Sequence, residues 1–148
     1  MIQEIFSLEN IQFIVKGAGI SLIIATFSLV FGILLGLLVS SMRLSEKKWE
    51  RVLGSVYVEL IRGTPMLLQL MFFYLVVPYL YLGVTGKGLE VPPIVLSIIA
   101  ISINSGAYFA ELFRSTILSI DKGQWEAGES LGLSKVTIFR KIIIPQAI

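Results

Sequence analysis

Three long apolar runs, separated by short polar segments, dominate the pattern of this chain. In the first run, residues 13–42, the uncharged stretch 17–39 alone would form about 35 Å of α-helix, enough to cross a hydrocarbon core of roughly 30 Å. The second and third runs cover residues 53–82 and 94–118. The pattern therefore predicts an all-α integral membrane protein, a polytopic helical bundle with three spans.

Small residues recur at every fourth position of the first predicted span, as Ser28, Gly32, Gly36 and Ser40. Such a stripe lets another membrane helix approach closely, because it removes side chains from the interface. The spacing predicts tight helix packing here, and it leaves open whether the partner helix belongs to the same chain.

The second apolar run is interrupted near its start by Gly63, Thr64 and Pro65. Proline lacks a backbone N–H and its ring clashes with the preceding turn, so we expect a two-part helix that changes direction here. The portion up to about Gly63 would lie on the polar side, with the membrane portion starting at Pro65. Glu59 and Arg62 are three residues apart and are predicted to pair on one helical face.

A polar stripe follows one face of the third predicted span, and polar groups inside a membrane helix favour a protein interior or a wet cavity. Gln69, one turn beyond Pro65, is a further polar group inside an apolar zone. The candidate pathway residues are Gln69, Asn104, Tyr108 and Glu111. Alternatives to a pathway role stay open. Asn104 could form an interhelical hydrogen bond, and Glu111 and Arg114, near the inner end, could extend to the membrane interface or pair with each other.

The segment 121–133 and the residues after it are polar and helix-prone, unlike the runs before them. Glu126 and Glu129 lie on a short predicted helix that ends at Gly132. Ser134 is predicted to cap a second helix, 136–144, which Pro145 closes. This arrangement fits a docking loop of a membrane protein, or else an ordinary surface helix-turn-helix.

Composition supports the membrane class, since 55% of the residues are hydrophobic and 15% are charged, against about a quarter charged in ordinary globular domains. The net charge of +2 is too small to indicate a nucleic-acid partner. The chain has no cysteine and no histidine. Disulfides, thiolate metal sites and the commonest general base are thereby excluded.

The segment between the first two runs carries four basic residues, Arg43, Lys47, Lys48 and Arg51. The positive-inside rule places this loop, and with it the segment 121–133, in the cytoplasm, and the N-terminus outside. The N-terminus is acidic and lacks the basic region of a cleaved signal peptide.

The run Glu126-Ala127-Gly128, three residues, Gly132, nine residues, then Ile142-x-Ile144-Pro145 resembles the EAA signature of permease subunits in bacterial ABC importers. Gly128 replaces the third alanine of that signature and Ile144 replaces its leucine. The stretches VYVELIRGTPMLLQL, SGAYFAELFRSTILSIDKGQWEAGESLG and IIIPQAI are similar to permeases for polar amino acids. If Glu111 faces the cavity, a cationic substrate such as arginine or lysine is also expected.

The resemblance implies that 121–133 is a coupling helix that docks on an ATPase. Its contact residues are expected to be Glu126, Ala127 and Gly132, with Trp125, Gly128 and Glu129 added because they share the helix. The implied partners are a cytoplasmic ABC ATPase dimer that carries ATP and Mg²⁺, a second permease subunit and an extracytoplasmic substrate-binding protein, in a bacterial inner membrane. This chain itself would hold no cofactor and perform no catalysis.

Members of the resembled family continue for two more spans, so residues 1–148 are expected to form a single, C-terminally incomplete transmembrane domain. Two other functions fit the residues. One is an amino-acid channel or facilitator that needs no ATPase. The other is a membrane sensor or assembly protein that uses the terminal helix pair to bind a partner.

Overall fold

The computed structural model describes residues 8–147, which form six helical segments and no β-strand. Three of them are long and apolar enough to cross a membrane: α1 (Leu8–Arg43), α3 (Met66–Thr85) and α4 (Pro93–Ser119). The shorter ones are α2 (Lys48–Arg62), α5 (Lys122–Ser130) and α6, which begins with Lys135–Ile138 and ends with Ile144–Ala147. The all-α membrane class predicted from the sequence is confirmed.

The apolar run 53–82 is divided between α2 and α3. Helix α2 ends at Arg62, where the N–H of Gly63 still donates to the carbonyl of Glu59 at 2.8 Å. Pro65 then precedes α3 with an extended backbone (ψ 136°), so the chain turns before the membrane-length helix begins. Proline at this place makes the break, because its ring disfavours a helical conformation in the residue before it.

Two later prolines lie inside helices. A π-helical turn, Phe72–Val76, precedes Pro78 in α3, and a second one, Phe139–Ile143, precedes Pro145 in α6. The wider turn accommodates the proline ring and the missing N–H. The prediction that Pro145 closes the last helix is wrong, since the helix continues through Pro145 to Ala147.

The small-residue stripe of α1 packs against α4 of the same chain. A Cβ atom added to Gly36 would lie 2.5 Å from Cβ of Phe109, and one added to Gly32 would lie 2.9 Å from Cβ of Ser105. Ser28 is buried and donates to the carbonyl of Ile98 at 3.4 Å. The two helix backbones therefore approach closely along most of their shared length.

Helix α2 lies across the ends of α1 and α4 nearest to α5. Val58 is buried in a cluster with Val39 of α1 and Ala110 of α4. The Tyr57 hydroxyl donates to the carbonyl of Ile103 at 2.6 Å. Burial raises the pKa of Tyr57 to about 12, so the hydroxyl stays protonated and keeps this bond at ordinary pH.

Candidate functional site

Helix α5, the predicted coupling helix, has a well-defined cap at each end. Asp121 accepts a hydrogen bond from the N–H of Gly123 at 2.6 Å and so satisfies a free donor of the first turn. At the other end Gly132 has φ +72°, and the N–H of Leu133 donates to the carbonyl of Gly128 at 3.1 Å. This is a Schellman ending, which requires the left-handed conformation that glycine adopts without strain. The helix thus ends with the turn at Gly132, as the sequence predicts.

Helix α6 begins at Lys135, three residues after Gly132, and Ser134 is its N-cap. The Ser134 hydroxyl oxygen accepts from the N–H of Thr137 at 3.3 Å. The Schellman ending at Gly132 and the N-cap at Ser134 have only Leu133 between them, so few free torsions remain between the two helices. The pair α5–α6 is therefore a defined corner and not a flexible loop.

The inner face of α5 packs on α6 through residues three apart, Trp125 and Gly128. The Trp125 ring stacks on Phe139 with centroids 6.3 Å apart. Gly128 is buried, and an added Cβ would lie 2.7 Å from Cγ1 of Ile138, which is itself fully buried. Trp125, expected among the docking residues, is half-buried: it contacts Phe139 and also borders a groove beside Glu129.

The outer face of α5 is open to solvent. Glu126, Ala127 and Glu129 are all exposed, and none of the three takes part in a side-chain ion pair among the described residues. Glu129 also borders a groove with Glu46, in the linker between α1 and α2, and with Lys135. The free carboxylate of Glu126, one turn into the helix, is available to a basic side chain of a partner.

Gly128 and Ile138 form a matched pair, which leads to a prediction. Gly128→Ala should lower the free energy of unfolding by about 0.5 to 2 kcal/mol, because the steric cost outweighs the gain in helix propensity. Guanidinium or SDS titration of the purified chain in micelles measures this. In the Ile138→Ala background the same change should cost nothing, and equal costs in both backgrounds would contradict the pairing.

Two of the predicted pathway residues contact each other. The Asn104 amide donates to the Gln69 carbonyl oxygen at 3.0 Å. The Gln69 amide nitrogen in turn donates to the Ile61 carbonyl and to the Thr64 hydroxyl, both at 2.8 Å. Gln69 therefore satisfies backbone groups freed by the break before Pro65 and links that break to α4. The sequence left open a pathway role or an interhelical hydrogen bond for Asn104, and the structure contains that hydrogen bond.

Glu111 is the centre of a cluster with three arginines. Its carboxylate pairs with Arg43 of α1 and accepts from Arg114 at 2.6 Å, and Arg62 of α2 lies 3.8 Å away. The predicted Glu111–Arg114 pair is present. Because three cations surround one carboxylate, Glu111 is not a free acceptor for a cationic substrate.

The predicted Glu59–Arg62 pair is wrong. Arg62 lies near Glu111, with its guanidinium carbon 5.4 Å from the ring centroid of exposed Tyr108. Glu59 takes part in no ion pair within residues 8–147. Sequence reasoning also missed Arg43 as a partner of Glu111, since the two are 68 positions apart.

No group of three or more His, Cys, Asp and Glu side chains that could hold a metal ion occurs among the described residues. The polar groups of the site are the hydrogen-bonded pair Gln69–Asn104 and the ion pairs of Glu111 with its arginines. Together, the three candidate spans and the exposed, doubly capped helix α5 define a polytopic membrane protein with a rigid, exposed corner.

Comparison with known proteins identifies the family. Residues 28–148 match the family described as binding-protein-dependent transport system inner membrane component. The chain belongs to this family.

Individual relatives agree with this assignment. A probable amino-acid ABC transporter permease of Bacillus subtilis is 38% identical over 142 residues, which are 96% of this chain and 60% of the relative. The glutamine transport system permease of Escherichia coli is 37% identical over 138 residues, 93% of this chain and 61% of the relative. The crystal structure of an amino acid ABC transporter with histidines superimposes with a TM-score of 0.74 at 34% identity, covering 92% of this chain and 64% of that one. The chain thus spans about three fifths of the length of the curated relatives that it matches.

Proposed function

We propose that this chain is part of the permease subunit of an ATP-driven importer of polar amino acids. The observation that carries the proposal is the exposed acidic face of α5 on a rigid corner joined to the spans. Support comes from the relatives, which are named as amino-acid and glutamine permeases. The solved relative is an amino acid ABC transporter with histidines, and basic amino acids as substrates of this chain remain a prediction.

The proposed orientation puts α5 in the cytoplasm and the N-terminus outside. The basic linker after α1 supports it by the positive-inside rule. Glu46 of that linker and Glu129 of α5 border one groove, so linker and helix lie on the same side of the membrane. In a bacterium, the proposed location of the chain is the inner membrane.

In the proposed mechanism a cytoplasmic ATPase dimer, holding ATP and Mg²⁺, grips the outer face of α5. Movement of that dimer carries α5, and the Trp125–Phe139 stack and the Gly128–Ile138 contact carry α6 with it. Only Asp121 and Ile120 separate α5 from α4, so the displacement reaches a membrane span directly. Such transmission needs rigid elements with two discrete arrangements.

The remaining parts of the proposed assembly are a second permease subunit and an extracytoplasmic substrate-binding protein. This chain contributes no catalytic group and no cofactor. Gln69, Asn104 and Tyr108 are proposed to line the translocation path, with Glu111 holding its inner end together through the arginine cluster. The broken helix beside Gln69 supports this, because broken helices expose backbone groups to substrates in other transporters.

The test is amino-acid-stimulated ATPase activity of the assembled transporter in proteoliposomes. Glu126→Ala and Gly132→Ala should each lower the stimulation at least about tenfold, the first by removing an interface charge and the second by straining the left-handed turn. Glu90→Gln, an exposed carboxylate far from α5, is the matched control and should behave like the parent.

Three outcomes separate the rival functions. Stimulation that survives both changes would refute the coupling role of α5. Uptake into vesicles without ATP would identify a channel or facilitator. Binding of a partner with no uptake under any condition would identify a sensor or assembly protein.

A further inference from the structure

Helix α2 has two apolar faces, and only one is covered by the rest of the chain. The covered face includes buried Gly54 and Val58 and packs on α1 and α4. The other face, the outer stripe of α2, is made of residues spaced four, three and four apart, all exposed: Trp49, Leu53, Val56 and Leu60. The exposed fractions of Trp49 and Leu60 are 60% and 62%. A continuous apolar stripe on a helix surface marks a contact with something outside the chain.

Basic residues lie at the end of the outer stripe where α2 begins. The Lys47 ammonium is 6.0 Å from the centroid of the Trp49 ring and forms an ion pair with Glu50 at 3.0 Å, although the Lys47 side chain remains 67% exposed. Lys48 is exposed and forms no ion pair among the described residues. Arg51 is already engaged, since it donates to the carbonyls of Ser45 and Glu46 at 3.2 Å. A tryptophan and lysines beside an apolar helix face are typical of helices that lie in a membrane interface.

The position of α2 in the fold supports the same environment. With 15 residues it would extend only about 22 Å, too short for a hydrocarbon core of roughly 30 Å. Its residues lie level with the charged ends of the spans, because Gly54 contacts Arg43 and Arg62 lies near Glu111. This is the depth at which polar groups meet the lipid headgroups, and the outer stripe continues the exposed apolar surface of the neighbouring spans.

We infer that α2 is an interfacial helix whose outer stripe contacts lipid acyl chains while Lys48, with the exposed end of the paired Lys47 beside it, binds the headgroups of anionic lipids. Each basic residue near a membrane surface adds attraction to anionic lipid. Zwitterionic lipid would satisfy the stripe but would leave the Lys48 ammonium without an anionic partner. The inference concerns lipid selectivity and does not depend on transport.

The experiment uses the absence of cysteine from the chain. Leu53→Cys, labelled with bimane, reports lipid contact in phosphatidylcholine vesicles that contain an equal minor fraction of brominated phosphatidylglycerol or brominated phosphatidylcholine. Quenching by the brominated anionic lipid should be at least about threefold stronger than by the zwitterionic one. The ratio should fall to near one in Lys47→Gln/Lys48→Gln and persist in Lys47→Arg/Lys48→Arg.

A bimane on Ser130→Cys, exposed on α5, should not be quenched by either lipid and is the control for contact. Equal quenching of position 53 by both lipids would overturn the inference. So would a preference that survives the glutamine substitutions. Absence of quenching by both lipids would show that protein covers the stripe, whether further spans of the same subunit, a second copy or another protein, and would overturn the inference as well.

Discussion

Replacing Glu111 with glutamine is expected to lower the free energy of unfolding by about 2 to 4 kcal/mol. Glutamine has nearly the same shape but no charge, so Arg43, Arg62 and Arg114 would face one another without compensation. Arg43 suffers most, because its side chain is only 12% exposed. The expected loss in the free energy of unfolding is somewhat smaller than for a fully buried ion pair, since the Glu111 side chain is 24% exposed. SDS titration in mixed micelles measures the change.

Glu59→Gln is the matched control for that measurement. Glu59 is an exposed carboxylate of α2 without an ion pair among the described residues, so its loss should change stability by less than about 0.5 kcal/mol. Adding Arg43→Met to Glu111→Gln should restore part of the loss, because it removes the most deeply buried unpaired charge. Equal stability of Glu111→Gln and Glu59→Gln would show that the cluster does not hold α1, α2 and α4 together.

The sequence could predict the features that depend on length or on nearest neighbours. Long uncharged runs indicate membrane helices whatever their packing. The hydrogen bonds at Gly132 and Ser134 that end one helix and begin the next join groups no more than five residues apart. The turn between α5 and α6 therefore followed from local chemistry.

Long-range pairings could not be predicted in this way. A spacing of three made Glu59–Arg62 the obvious pair, but the break at Gly63–Pro65 and the packing of α2 bring Arg62 to Glu111 instead. The prediction at Pro145 failed for a similar reason. The local rule ends a helix at a proline, but the π-helical turn before Pro145 avoids the clash between its ring and the preceding turn. For Trp125, its place on helix α5 did not indicate which face of that helix its side chain occupies. Its spacing of three residues from Gly128 was the signal in the sequence that could have placed Trp125 on the face that packs against α6.

Gly36→Ala is expected to lower the free energy of unfolding by about 1 to 3 kcal/mol, as overpacking does in other proteins. The added Cβ would lie 2.5 Å from Cβ of Phe109 and 3.1 Å from the backbone N of Ala110. Neither atom can move without displacing the α4 backbone, so relief requires α1 and α4 to separate. The same SDS titration measures the effect.

Gly19→Ala in the same helix is the control, because nothing lies within 4 Å of a Cβ at that position. It should leave stability unchanged or raise it slightly, since alanine favours the helix more than glycine. The contrast separates helix propensity from packing: both substitutions add one methyl group to α1, and only Gly36 faces α4. If both variants unfold alike, the small-residue stripe is not the contact surface, and α4 must be held against α1 by the Glu111 cluster alone.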